Sequence, residues 1–132
     1  MYLHIHDNRT LREVQDDFSY TFPYLRLEFL SNKRRRKTTE QKHTFNSFLP
    51  VVAIRTQHRN GAAEISEFNT VNEIKDVLKK EYGLHAQIYH FTNAGWIETD
   101  TVGKATVKEL NEQGKRSAYE YHNVFAQVKQ LK

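Results

Sequence analysis

The residues of this 132-residue chain that could do chemistry are seven histidines and a run of basic residues; it has no cysteine. His4 and His6 stand two apart in 2–6, where Leu3 and Ile5 alternate with Tyr2, His4 and His6. In a strand that alternation turns both imidazoles to the face opposite the core, a geometry suited to two ligands of one ion. The sequence names no third ligand, so no metal site and no cofactor are assigned. His85 and His90 fall on opposite faces of a regular strand and cannot share an ion. His43, His58 and His122 occupy expected loop or helix-surface positions and form no pattern.

The sharpest hint is electrostatic. Lys33, Arg34, Arg35, Arg36 and Lys37 are consecutive, and Lys42 follows. The chain carries a formal net charge of +4, and 33–44 alone carries +5, which leaves the remainder at −1. Like charges in a row repel and stay solvated, which predicts a loop. Such a block attracts phosphate backbones without reading sequence, or an acidic partner protein.

Patterns of enzymes are missing. There is no glycine-rich phosphate loop, no Gly-x-Ser-x-Gly and no His-Glu-x-x-His. The carboxylates sit mainly in first turns of expected helices and on polar faces, where capping and solvation account for them. Asp16 and Asp17 lie on the polar side of a helix. No catalytic residue is assigned, and the expectation is a chain that is not an enzyme. Without cysteine there is no disulfide framework and no thiolate chemistry. No run of about 18 apolar residues would span a membrane, and 1–10 lacks the apolar core of a signal peptide. The expected setting is the cytoplasm.

The elements that must position these residues are legible from periodicity. Hydrophobic residues make up 38% and aromatics 12%, enough for one domain over 1–132 whose core leans on Phe and Tyr. Thr10 and Glu13 form a capping box before the stripe Leu11, Val14, Phe18 and Phe22, and Pro23 stops the helix. A strand over 24–30 follows, with Leu25, Leu27 and Phe29 opposite Arg26 and Glu28. Sixty positions on, Thr70 and Glu73 repeat the box before Val71, Ile74, Leu78 and Tyr82. Gly83 fits a left-handed cap, 85–91 a strand, and Asn93-Ala94-Gly95 a hairpin loop into 96–99. The chain therefore reads as a pseudo-repeat of two β-α-β units, 2–31 and 62–99. Between them lie the basic loop 32–44 and an apolar patch at 45–54, expected as a short helix or turn or else as an extra strand at 51–56. Thr106 and Glu109 open a third helix expected to end at Gly114, and Ser117 and Glu120 a fourth, an appended segment over 105–131. The predicted fold class is α+β: a ferredoxin-like β-α-β-β-α-β sheet with helices on one face, an added hairpin strand and C-terminal helices. A different strand order is the alternative, because the long connection can insert a strand.

The second half resembles a known group. Thr70-Val71 with Glu73-Ile74, Glu81-Tyr82-Gly83-Leu84, Ala86-Gln87-Ile88-Tyr89, Gly95-Trp96-Ile97-Glu98-Thr99 and Glu109-Leu110-Asn111 resemble a family of small bacterial proteins without established activity. In that family a helix ending in Phe/Tyr-Gly-Leu runs into a strand and a Gly-x-Trp-Leu-x-Thr hairpin. The resemblance covers about 45 residues and implies no site residues.

The functional expectation is a non-enzymatic module that binds another macromolecule, most simply a protein or a second copy of itself. Tyr121, Phe125 and Val128 on the final helix are the candidate contacts. The alternative is nucleic-acid binding through 33–42. Trp96, the single tryptophan, either anchors the core or marks a contact surface, with core packing expected.

Overall fold

The computed structural model describes residues 1–31, 45–57 and 59–120 in full and 121–130 by their helical backbone. The chain runs β1 (Tyr2–Ile5), α1 (Leu11–Thr21), β2 (Leu25–Phe29), a 3-10 turn (Val51–Ala53), β3 (Gly61–Glu64), α2 (Val71–Tyr82), β4 (Ala86–Thr92), β5 (Gly95–Glu98), a second 3-10 turn (Asp100–Val102) and α3 (Val107–Gln130).

Both crossover helices start as their sequences require. Thr10 Oγ1 accepts the Glu13 N–H at 3.1 Å, and Glu13 Oε1 accepts the Thr10 N–H at 3.1 Å. Thr70 and Glu73 repeat the exchange at 3.2 and 3.1 Å. Each box satisfies two groups that a helix start leaves orphaned. Leu11, Val14 and Phe18 bury the stripe of α1, and Val71, Ile74, Leu78 and Tyr82 that of α2. Gly83 closes α2 at φ 66°, the left-handed cap expected. A Cβ there would also meet the Gln57 backbone nitrogen at 2.4 Å, so glycine answers to a close approach as well.

The likeness of the halves extends past the helices. A single antiparallel bridge joins Thr10 to Pro50, and another joins Thr70 to Thr106. The Leu11 and Arg12 N–H groups donate to the Leu49 and Ser47 carbonyls at 2.9 and 2.7 Å. In the second half, Val71 and Asn72 donate to Ala105 and Gly103 at 3.1 and 3.0 Å. Each helix start is thus strapped by a later stretch that lends carbonyls to first-turn N–H groups. The strap continues into the 3-10 turn at Val51 in one half and into α3 at Val107 in the other, both fully buried.

Equivalent strands pair with each other. β1 and β3 are antiparallel with Leu3 opposite Ala63, and β2 and β4 are antiparallel with Leu27 opposite Ile88. The two units therefore meet through equivalent strands run antiparallel. β5 adds to β4 through the expected hairpin, with Gly95 at φ 96°. Leu3, Ile5 and Ala63 of one ladder, Leu25, Leu27, Phe29 and Ile88 of the other, and the helix stripes form one core.

The α+β class is observed, with antiparallel ladders of two and three strands. Their order, β1-β3 and β2-β4-β5, departs from the expected ferredoxin-like sheet because β2 takes β4 as its neighbour and not β3. The reason is physical. No tight turn forces β2 against β3, and β4 offers a long inner edge whose Ala86 and Ile88 face Phe29 and Leu27.

Two further expectations are corrected. The segment 51–56 adds no strand; its 3-10 turn drops Val51 into the core. The two C-terminal helices are one, because Gly114 lies inside α3. A Cβ at Gly114 would meet Tyr24 Cβ at 2.5 Å and the Phe91 carbonyl oxygen at 3.4 Å. The glycine permits a helix crossing, not a helix end. The first turns of α3 bury Val107 and Leu110, so that part belongs to the core.

Candidate protein-binding face

Alternation in β2 sends Leu25, Leu27 and Phe29 inward and leaves Arg26 and Glu28 on the outer side. The register sets Arg26 opposite Tyr89 and Tyr89 opposite Glu98, with Phe91 opposite Trp96. One face of the three-stranded ladder therefore gathers Arg26, Glu28, Tyr89, Phe91, Trp96 and Glu98.

These side chains are organised. The Arg26 guanidinium carbon lies 4.1 Å from the centroid of the Trp96 ring, a distance at which cation and ring quadrupole attract. Phe91 meets Trp96 edge-on, with centroids 5.5 Å apart and planes at 70°. Tyr24 extends the group at 6.4 Å from Phe91. The Tyr89 hydroxyl donates to Glu98 Oε1 at 3.5 Å. Burial, then the charges of Glu98 and Glu28, push the Tyr89 hydroxyl above its usual range, so it stays a neutral donor.

The rim of the face is polar, and at one end the register sets Gln87 on the same face, opposite Glu28. Gln15 of α1 donates to Glu28 Oε2 at 3.2 Å. Gln87, fully buried, donates to Asp100 Oδ1 at 2.9 Å and accepts the Ile88 N–H at 3.0 Å and Lys75 Nζ at 3.4 Å. Lys75 also pairs with Asp100 at 3.5 Å. Between α1 and β2 opens a groove of about 470 Å³ lined by Arg12, Gln15, Asp16, Arg26, Glu28 and Phe45 among others. Both charge signs share it.

A ferredoxin-like sheet would set Tyr2, His4 and His6 on one open face with Arg26 and Glu28. The structure separates them: Tyr2 and His4 lie on β1, in the other ladder, and His6 follows one residue past the end of β1. Lys33, Arg34, Arg35, Arg36, Lys37 and Lys42 lie outside the described residues. Their flanks are fixed, because Leu30 N–H donates to the His85 carbonyl at 2.8 Å and Phe45 N–H to the Phe29 carbonyl at 3.0 Å. Tyr121, Phe125 and Val128 fall on the stretch of α3 described by backbone alone. Trp96 is half-buried, neither a core anchor nor a free surface ring.

Two groups escaped the sequence reading. Arg55 is buried with its side chain 0% exposed; it pairs with Asp7 Oδ1 at 3.0 Å and donates to Asn60 Oδ1 at 3.1 Å and to the Gln57 and Arg59 carbonyls. It reads as an ordinary loop cation in sequence, and no local signal marks it. The Arg26–Trp96 stack joins residues seventy positions apart, and only the strand register brings them together. Among the described residues no three His, Asp or Glu side chains converge as a metal cluster, and none of their helices is long and apolar enough to cross a membrane. Comparison of the chain with protein-family models, curated proteins and solved structures found no match.

Proposed function

We propose that the protein is a non-enzymatic module of the cytoplasm that binds another protein through the outer face of β2, β4 and β5. The observation that carries this reading is the Arg26–Trp96 stack with Phe91 and Tyr89 beside it. Trp, Tyr and Arg are the residue types that dominate binding energy at protein interfaces. Here they stand on paired strands, which hold them in place before a partner arrives. Half-buried aromatics give apolar contact, and Glu28 and Glu98 supply the polar rim.

Charge favours a protein over a nucleic acid at this face. A stacking platform for bases works beside a basic groove, whereas Glu28, Glu98 and Asp16 place carboxylates around Trp96 and Arg26. Nucleic-acid binding through 33–42 is the second reading, favoured by the net +5 of 33–44. The likeness to small bacterial proteins adds no catalytic residue to either.

The test is a photo-crosslinking side chain in place of Glu98 in the living host, with the same side chain at exposed Lys80 of α2 as control. The expected outcome is a discrete protein adduct at position 98, absent at position 80, unaffected by nuclease and lost when Trp96→Ala is added. A nuclease-sensitive adduct, equal labelling at both positions, or indifference to Trp96→Ala contradicts the reading. An adduct of twice the chain mass identifies the partner as a second copy.

A further inference from the structure

β1 carries His4, and His6 follows one residue past the strand's end. Leu3 and Ile5 are fully buried, so His4 and His6 both point away from the core. Their rings lie 6.3 Å apart between centroids and within 11° of parallel. Neither ring enters a hydrogen bond among the described residues. Opposite His4 in the ladder stands Ala62, whose methyl leaves room beside the ring, and Glu64 lies on the diagonal. The nearby cation is engaged elsewhere: Arg9 donates to the His4 carbonyl at 2.8 Å and to Asp17 Oδ2 at 2.9 Å.

We infer that His4 and His6 form a binding site for one divalent transition-metal ion of the zinc class, held by a nitrogen of each imidazole. A metal about 2.1 Å from a ring nitrogen lies about 3.2 Å from that ring's centroid, so two rings sharing an ion sit about 5 to 6.5 Å apart. The observed separation falls in that window. Because the rings are stacked within 11° of parallel, both must turn about χ2, a soft torsion in histidine, to aim a nitrogen at one ion. Imidazole is a ligand type that zinc, copper and nickel accept. No third protein ligand converges among the described residues, which leaves coordination positions open to water or to a partner. The site is therefore exchangeable rather than structural, and a partner's side chain can complete it.

The experiment is calorimetric titration of the untagged full-length chain with zinc chloride at about pH 7.5. One equivalent is expected to bind. His4→Ala and His6→Ala each weaken binding by at least about tenfold, while His85→Ala leaves it unchanged. No uptake up to about 1 mM zinc, or uptake that His4→Ala and His6→Ala leave intact, overturns the inference. Neither histidine belongs to the core, and far-ultraviolet circular dichroism verifies that the variants keep their fold.

Discussion

At the scale of single residues, the molecule places a few polar groups where ordinary packing would exclude them. Arg55 is the clearest. Its guanidinium has no exposed surface and is matched by Asp7, Asn60 and two loop carbonyls. Removing it takes away the donor these groups share, and an ion pair buried on the arginine side is lost. Arg55→Met is expected to destabilise the fold by about 2 to 3 kcal/mol in urea denaturation. His90 is a second case. Its Nδ1 is buried without a hydrogen-bond partner among the described residues, and burial pushes its pKa below the usual 6.5. His85 moves the same way, through burial and then Lys79. A histidine depressed in the folded state takes up its proton first when unfolded, so stability falls as pH drops below 6.5. The urea midpoint is expected to fall between about pH 7.5 and 5.5, and His90→Leu to flatten that fall. An unchanged slope in the variant contradicts the assignment. Glu13 and Glu73 act in a separate, lower window. Hydrogen bonds from the Thr10 and Thr70 backbones, then from their hydroxyls, hold both below 4.5, so the caps add stability above that value and lose it as pH falls through the depressed one.

At the scale of elements, local chemistry was readable and distant chemistry was not. The capping boxes, the stripes of α1 and α2, the Gly83 cap and the hairpin at Gly95 depend on neighbours within a few positions, and the structure has all of them. Thr10→Ala and Thr70→Ala are each expected to cost about 1 kcal/mol, additively, because the caps stand in different halves. The straps at Pro50 and Thr106 bridge stretches that no local pattern links. Gly114 shows why one reading failed. Glycine commonly ends helices, but here the approach of Tyr24 decides. Gly114→Ala raises helix propensity by about 1 kcal/mol, yet the added methyl meets Tyr24 Cβ. The expected net result is a lower melting temperature. A rise would show that α3 does not press on β2 at this point.

At the scale of the whole molecule, two β-α-β units join by pairing equivalent strands antiparallel, one from each unit in β1-β3 and β2-β4, with β5 of the second unit added to β4. The units were visible in the sequence as a sixty-residue echo of caps and stripes. Their joining was not, because strand order depends on which edges meet after collapse. β2 and β4 match each other's inner residues along their length, and no short turn commits β2 to β3. The candidate face was hidden for the same reason. Arg26, Tyr89 and Trp96 belong to three strands and become neighbours only when β4 lies between β2 and β5. The pairing also shows what is particular to the second half: β5 has no described counterpart beside β2, and it is β5 that carries Trp96.

That single tryptophan gives the most direct measurement. The protein captured at position 98 is titrated into the free chain while Trp96 emission and its quenching by acrylamide are recorded. If the partner covers the Arg26–Trp96 face, emission shifts to the blue, quenching falls, and Arg26→Ala and Trp96→Ala weaken binding by at least about 2 kcal/mol. Binding that saturates by calorimetry while Trp96 emission and quenching stay constant would show that the partner docks elsewhere.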